Sequence, residues 1–336
     1  MKMKWIFAPI SLIYSAISYL RWRLYRAGIF KVMSAKSPVI SIGNIALGGT
    51  GKTPFVIWLA KKLVEEGYSP VILSRGYGRR NCSREFIIDN PTNACLAGDE
   101  PALMSKNIPN VPVIVHPDRY ASIQEFGDNG DNIFLLDDGF QHIKLYRNLD
   151  IVSLPAEDPF SSGRFFPWGG LRDGLWRLKE ADIIILMGEN KENYDEIKKR
   201  LSPECKIVYA HKKFLSVKNM QGIRLREEVL NAKKVVAFAG ICSSRSFTET
   251  IEQTGAIICS KIWFRDHHIY TKNDIKKIEI EAERCDADFL VTTEKDAVRL
   301  AGFNPRIEVL VICIDIIIDQ EAELLKAINE KIKIKH

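Results

Sequence analysis

The sequence predicts an α/β protein of the P-loop NTPase-like kind. It comprises a mainly parallel sheet with helices on both faces, a second smaller α/β domain after it, and an N-terminal membrane-associated helix before it. Three observations predict this. Short apolar, β-branched runs alternate with helical stretches along most of the chain, which is the pattern of a parallel sheet covered on both sides. The first central run leads straight into SIGNIALGGTGKTP at residues 41–54, a glycine-rich turn that opens a helix. The polar clusters fall at the ends of the apolar runs, where open α/β sheets bind their ligands.

The N-terminal stretch Met3 to Leu20 is mostly apolar and aromatic, and Arg21-Trp22-Arg23-Leu24-Tyr25-Arg26 follows at once. It falls slightly short of the about 20 apolar residues a spanning helix needs, and Pro9 and several serines interrupt it. Lys2 and Lys4 stand at its start as in a signal peptide, but no small-residue cleavage site follows. Residues 1–30 therefore read as an interfacial helix, with Trp and Tyr at its edges and arginines toward anionic headgroups. A helix packed on its own domain is the plain alternative.

Residues 31–211 read as a nucleotide-binding domain. Pro38-Val39-Ile40-Ser41-Ile42 has the character of a buried strand, and residues 55–63 that of a helix with a broad apolar face. Between them, Ala46-Leu47-Gly48-Gly49-Thr50-Gly51-Lys52-Thr53 has P-loop spacing, with Ala46 where the first glycine is usual. Glycines let successive N–H groups turn inward around a phosphate. Lys52 then reaches the β- and γ-phosphates and Thr53 offers a hydroxyl to Mg²⁺. The helix N-terminus adds positive potential, and Pro54 suits a first helical turn.

Further strands are expected at 71–74, 111–115, 133–136, 150–154 and 183–187. The fourth central run ends in Asp137-Asp138-Gly139-Phe140-Gln141-His142. Asp137 stands where a Walker B carboxylate would hold Mg²⁺. Adjacent residues of a strand point to opposite faces, so Asp138 can join Asp137 only if a turn begins there, which Gly139 permits. Asp99, in Gly98-Asp99-Glu100-Pro101, can cap a helix or serve as a general base for an attacking hydroxyl. Arg75, Tyr77 and Arg172 add phosphate-binding groups near strand ends.

Residues 212–231 are mixed and charged with no clear long element, and read as a linker. Residues 232–336 form the second α/β series, with strands at 234–240, near 257–259, 289–292 and 309–313, and a last helix at about 320–331. Phe264-Arg265-Asp266-His267-His268-Ile269-Tyr270 can bind metal, orient a partner or shuttle a proton. Thr292-Thr293-Glu294-Lys295-Asp296 is a capped helix start or a further functional cluster.

Composition narrows the alternatives. The 336 residues are 46% hydrophobic and 27% charged, enough for a sizeable core and in line with two domains. A net charge of +6 is too mild to imply nucleic acid. The seven cysteines are scattered, odd in number and free of Cys-x-x-Cys pairs, which points to reduced thiols.

Taken in order, the N-terminal aromatic-basic helix, SIGNIALGGTGKTP, LSRGYGR, GDEP, LLDDGFQH, GLRDG, FRDHHIY and TTEKDAVRL resemble one family over most of the chain: the tetraacyldisaccharide 4′-kinases, or lipid A 4′-kinases. The resemblance implies transfer of the γ-phosphoryl of ATP, with Mg²⁺, to the 4′-hydroxyl of a tetraacylated glucosamine disaccharide 1-phosphate. It implies peripheral association with the cytoplasmic face of a Gram-negative inner membrane, a membrane-embedded substrate and no obligate protein partner. By position, Asp99 corresponds to the catalytic base and His267 to its partner across the domain cleft. Asp138 assists at the γ-phosphate. Residues 46–53 bind nucleotide, Thr53 and Asp137 bind metal, and Arg75, Tyr77, Gln141, His142 and Arg172 are candidates for substrate or phosphate contact. The sequence departs from the family pattern at Trp168-Gly169-Gly170, where a proline-rich loop is usual, and no role is assigned to Asp173.

Three rivals are set against this reading. A regulatory P-loop switch would bind a protein partner according to nucleotide state. A metal phosphoesterase built on Asp266-His267-His268 would need more ligating acids than the motif supplies. A non-catalytic membrane-binding module leaves the P-loop unexplained.

Overall fold

The computed structural model describes residues 2–76, 86–88, 97–241, 244–300 and 302–333. Helix α1 (Ala8–Arg26) opens the chain. There follow β1 (Val39–Gly43), α2 (Lys52–Glu65), β2 (Ser69–Ser74), β3 (Phe86–Ile88), α3 (Asp99–Asn107), β4 (Val113–Val115) and α4 (Arg119–Phe126). The first half continues with β5 (Asn132–Asp137), β6 (Leu149–Pro155), β7 (Ile183–Met187) and α5 (Tyr194–Lys198), and β8 (Lys206–Asn219) leaves it. The second half holds β9 (Lys234–Ala239), α6 (Ser244–Glu252), β10 (Ile257–Trp263), α7 (Lys272–Arg284), β11 (Phe289–Thr293), α8 (Glu294–Arg299), β12 (Val309–Ile318) and α9 (Glu321–Ile332).

The described strands form one sheet in the order β10-β9-β11-β12-β8-β7-β6-β1-β5-β2-β4-β3. All neighbours are parallel except β3–β4 and β8–β12. That second exception sets the architecture. Residues 206–210 of β8 run parallel to β7, and residues 210–219 pair antiparallel with β12. β7 ends beside Ala210, whereas β11 ends beside Ile312, the partner of Val217. Seven residues of β8, from 210 to 217, separate the two ends, roughly 23 Å at strand rise. Because β12 runs against β8, the two half-sheets aim their carboxyl ends at one another across that gap.

The segment 212–231, expected to be a linker without a long element, thus begins as the far half of a 14-residue strand. Its periodicity is broken by an irregularity: Cys313 pairs with Ser216 but Ile314 with Phe214, leaving Leu215 as an extra residue. A bulge of this kind bends the strand and erases the two-residue alternation by which a strand is read. The last helix, counted by sequence with the second domain, packs on the first half. Leu324 and Ile328 of α9 share a core cluster with Phe55 and Leu59 of α2 and Ile151 of β6. Lys331 pairs with Asp182 at 2.8 Å and Lys62 with Glu321 at 3.0 Å.

Helix α1 is half packed and half exposed. Four side chains along one edge hold the segment 168–180. Trp168 N donates to Ser11 Oγ at 3.0 Å, and Tyr14 Oη to Arg172 O at 3.0 Å. Ser18 Oγ donates to Asp173 Oδ1 at 3.4 Å, and Trp22 Nε1 to Glu180 Oε1 at 2.6 Å. Ile10, Ile13, Ile17 and Leu20 of α1 stay exposed, as does Ile6 just before it. Among the described residues no helix is long and apolar enough to cross a membrane. The packed-helix alternative describes the bonded edge, and the exposed apolar residues are what an interfacial helix would require.

Candidate active site

The glycine-rich turn links β1 to α2 as expected of a strand–loop–helix cradle. Gly51 is the N-cap of α2 at φ 76°, a left-handed conformation that favours glycine, and a Cβ there would also press on the Met187 side chain. Asn44 Nδ2 donates to Thr50 Oγ1 at 2.9 Å, and Ser153 Oγ donates to Thr50 O. Leu47 N donates to Gly170 O at 2.7 Å, which ties the loop to the Gly169–Gly174 segment. Lys52 begins α2 and reaches Asp138 Oδ1 at 2.7 Å. Residues 48–54, Lys52 and Thr53 included, line a cavity of about 230 Å³ that opens into the gap between the half-sheets. Phe247, Ile312 and Ile314 supply its apolar far wall, and Glu100 and Lys295 stand at its polar end. Ala46 and Leu47 lie outside this lining, on the side where the loop meets Leu171 and Gly170.

The acidic pair sits at the carboxyl end of β5. Asp138 has φ 53°, so the backbone turns left-handed immediately after Asp137, the turn that two adjacent acids require. Asp137 is 2% exposed. Its Oδ2 accepts from Ser74 Oγ at 3.0 Å, and its Oδ1 has no hydrogen-bond partner among the described residues. Burial, together with the charges of Glu100 and Asp138 and against Lys52, pushes its carboxyl up to about 7. An orphaned, buried oxygen on an acid of this kind fits a Mg²⁺ ligand, which would supply the missing positive charge. Asp138 goes the other way. Its burial is outweighed by the Arg172 hydrogen bonds and by Lys52, which hold it well below the usual carboxylate range. Arg172 grips both Asp138 oxygens, through Nη1 at 2.8 Å and through Nη2, which also donates to Asn44 Oδ1.

A second cavity, of about 500 Å³, lies on the other side of Asp138, between α1 and the carboxyl ends of the strands. Arg75, Gln141, His142 and Arg172 line it, as do Asp138 and Asp173. Gln141 Nε2 donates to Asn44 O at 2.7 Å and lies 3.5 Å from Asp173 Oδ2. Burial and the cations Arg119 and Arg147 pull His142 down to about 4, against the pull of Asp118. Tyr77 lies outside the described residues. Asp173, to which sequence assigned no role, is buried. It pairs with Arg177 at 3.5 Å and accepts from Gly174 N at 2.9 Å, so it braces the Arg172 segment against α1.

Asp99 is the first residue of α3. The N-cap is Gly98, without a side-chain cap bond, so Asp99 is not spent on capping. Its Oδ2 is instead 3.1 Å from His267 Nδ1 and accepts from Arg299 Nε at 2.7 Å. These partners come from the second half, so the contact spans the gap. His268 faces away: its Nε2 meets Asp274 Oδ2 at 3.1 Å, and its ring stacks on Phe264 at 4.5 Å. Of the two histidines, His267 is the one that meets Asp99. Lys295 Nζ, a donor only, lies 3.1 Å from His267 Nε2. That nitrogen therefore accepts, and the ring proton sits on Nδ1, facing Asp99. The His267 hydrogen bond and Arg299 outweigh burial and hold Asp99 below its ordinary value. Among the described residues no group of three or more His, Cys, Asp or Glu is arranged to hold a metal.

Sequence reasoning missed Arg119, Lys144, Arg177 and Arg299. The first three line the second cavity, and Arg119, 4% exposed, donates through Nη2 to Asp137 O at 3.4 Å. One signal was present: Arg119 follows the carboxyl end of β4 by four residues, within the zone where the other cations were found.

Known proteins resemble this chain over most of its length. The family described as tetraacyldisaccharide-1-P 4′-kinase (LpxK) matches residues 3–333. The tetraacyldisaccharide 4′-kinase of Chlorobium phaeobacteroides is 36% identical over 311 residues, spanning 88% of this chain and 87% of its own length. That of Bdellovibrio bacteriovorus is 34% identical over 299 residues, 87% of this chain and 88% of its own. That of Psychromonas ingrahamii is 32% identical over 329 residues, 97% and 96% respectively. Among solved structures, LpxK from Aquifex aeolicus in complex with ATP has a TM-score of 0.77 at 28% identity, covering 98% of this chain and 99% of that one.

Proposed function

The chain belongs to the tetraacyldisaccharide-1-phosphate 4′-kinase family, and from that premise we propose that it transfers the γ-phosphoryl of ATP to the 4′-hydroxyl of a tetraacylated glucosamine disaccharide 1-phosphate, with Asp99 as general base. One observation carries this reading. Lys52, which lines the nucleotide-side cavity, is ion-paired with Asp138, which lines the cation-lined cavity together with its other partner Arg172. Donor and acceptor thus have separate rooms with a shared wall.

Residues 48–53 cradle the triphosphate through backbone N–H groups and Lys52. Asp137 and Thr53 would hold Mg²⁺ together with the phosphates, and that ion supplies charge neutralisation at the transferring group. The acceptor's phosphate and sugar hydroxyls are recognised by Arg75, Arg119, Gln141, His142 and Arg172. The wall formed by Tyr14, Ile17, Ser18 and Trp22 leads from this cavity to the exposed apolar side of α1. Acyl chains lie along that side, and α1 rests in the interface of the membrane that holds them. In the chemical step the 4′-oxygen bonds to the γ-phosphorus, the bond to the β–γ bridging oxygen breaks, and ADP leaves with the electron pair. The hydroxyl proton passes to Asp99, and Asp138 with Arg172 and Lys52 steadies the γ-phosphoryl oxygens.

The test supplies γ-labelled ATP, Mg²⁺ and detergent-dispersed tetraacyldisaccharide 1-phosphate. Label is expected in the lipid, at the 4′ position, with stoichiometric ADP. Release of labelled inorganic phosphate with none in the lipid would overturn the reading in favour of a nucleotide-driven switch.

A second outcome follows from the Asp138 bridge. Without nucleotide this carboxylate neutralises both Lys52 and Arg172. Asp138→Asn releases them to the triphosphate, so ATP binding is expected to tighten by about fivefold, the equivalent of one partly exposed ion pair at about 1 kcal/mol. Turnover falls at the same time. Calorimetric titration with ATP checks it, and weaker binding would mean that the carboxylate helps to hold the nucleotide.

A further inference from the structure

Arg299 sits on α8, 200 residues from Asp99 in sequence, with its side chain 5% exposed. Two of its three nitrogens donate hydrogen bonds. Nε donates to Asp99 Oδ2 at 2.7 Å, and Nη1 donates to Gly240 O and Asp296 Oδ1, both at 3.1 Å. Nη2 lies 3.4 Å from His267 Nδ1. Asp296 is wholly buried and itself locked in place. Its Oδ1 accepts from Tyr270 Oη and Gly240 N, each at 3.0 Å, and its Oδ2 accepts from Thr293 Oγ1 at 2.6 Å. The guanidinium therefore has a single orientation, imposed from within the second half, and it projects one N–H across the gap.

The contact is selective between the two oxygens of Asp99. His267 and Arg299 both meet Oδ2, and no described residue donates to Oδ1. A carboxylate that takes a proton from a substrate needs one oxygen held and one oxygen presented. We propose that Arg299 is a positioning residue for phosphoryl transfer: with His267 it pins Oδ2 of Asp99 and so turns Oδ1 toward the acceptor hydroxyl. The claim rests on Asp99 being the general base. Arg299 does not touch substrate, and it acts only through that carboxylate. Arginine fits this geometry because Nε reaches Asp99 while Nη1 stays on Asp296, a fork that lysine reproduces only in part.

The experiment is a double-mutant cycle on the full-length enzyme with the lipid acceptor and ATP. Arg299→Ala is expected to lower kcat by about 10²-fold, with the KM for ATP within about threefold of wild type. Asp99→Ala lowers kcat further, and adding Arg299→Ala to it produces no additional loss, because the group that Arg299 positions is already gone. Arg299→Lys recovers part of the kcat lost in Arg299→Ala. Wild-type kcat in Arg299→Ala overturns the proposal. So does an equal fold-loss in both backgrounds, which marks a general structural effect. If Arg299→Ala does not fold, Arg299→Lys in both backgrounds repeats the cycle with the same criteria. Near-wild-type turnover in Asp99→Ala would remove the base reading itself, whereas normal loss there beside unaffected Arg299 variants removes only this proposal.

Discussion

Asp99→Ala is expected to lower kcat by roughly 10²–10⁴-fold, the range for removing a positioned general base, with ATP affinity little changed. The side chain is placed for that task by two elements that sequence separates widely. It stands at the start of α3 in the first half, and its Oδ2 is held from the second half by His267 at 3.1 Å and Arg299 at 2.7 Å. These partners also decide its ionisation. The His267 hydrogen bond and the Arg299 charge overcome burial and keep the carboxyl below its ordinary value. A lowered value means the base is present above it and is lost only as pH falls through it. Any limb of the kcat profile that Asp99 controls therefore lies on the acid side of the usual carboxylate range, and activity stays independent of Asp99 titration at neutral pH. Steady-state kinetics at saturating lipid, with ATP binding measured separately, decide the matter. Turnover close to wild type would end the role of Asp99 in proton removal.

Lys52→Ala is expected to reduce kcat by about 10²–10³-fold, comparable to deleting one preorganised donor from a site of developing charge. The KM for ATP rises as well, since the same ammonium meets the bound triphosphate. Two features make the loss hard to compensate. Lys52 is fixed at the first turn of α2 beside Gly51, whose left-handed backbone favours glycine, and its one described ion-pair partner is Asp138 at 2.7 Å. With the ammonium gone, Asp138 and any phosphate face each other with only Arg172 between them. Lys52→Arg should not restore activity, because a planar fork is broader than the point charge for which the loop is shaped. Single-turnover transfer with pre-bound ATP isolates the chemical step. A variant within tenfold of wild type there would show that the backbone amides alone suffice.

The parts of this molecule that local chemistry specifies were legible in the sequence. The strand–loop–helix turn declares itself through glycine, lysine and the change of pattern, although of the residues 46–53 only 48–53 line the cavity. The turn at Asp138-Gly139 follows from the geometry of two adjacent acids. The dependence of Asp99 on His267 was legible only through family resemblance, since nothing in the spacing of residues 168 apart makes them meet. What stayed hidden depends on how distant segments come together. A bulge at Leu215 breaks the alternation of β8, so the strand joining the half-sheets reads as a linker. Helix α9 is apolar on one side, and no local feature says that this side belongs to the core of α2. Arg299 looks like an ordinary basic residue in the last turn of a helix until the fold buries it against Asp296. Asp173 likewise becomes intelligible only once Arg177 and Ser18 are seen around it.

The four bonds from Ser11, Tyr14, Ser18 and Trp22 have a geometric consequence. A rod fastened at four points along one edge cannot roll about its own axis, so its greasy side keeps a constant azimuth relative to Asp138. Under the proposed function, in which that side rests in the bilayer, the height of the reacting oxygen above the hydrocarbon is set by the protein rather than by the lipid. Lengthening the fatty chains then alters only what lies below the surface and should be tolerated. Inserting even a short spacer between chain and sugar would lift the ring out of register with the triphosphate.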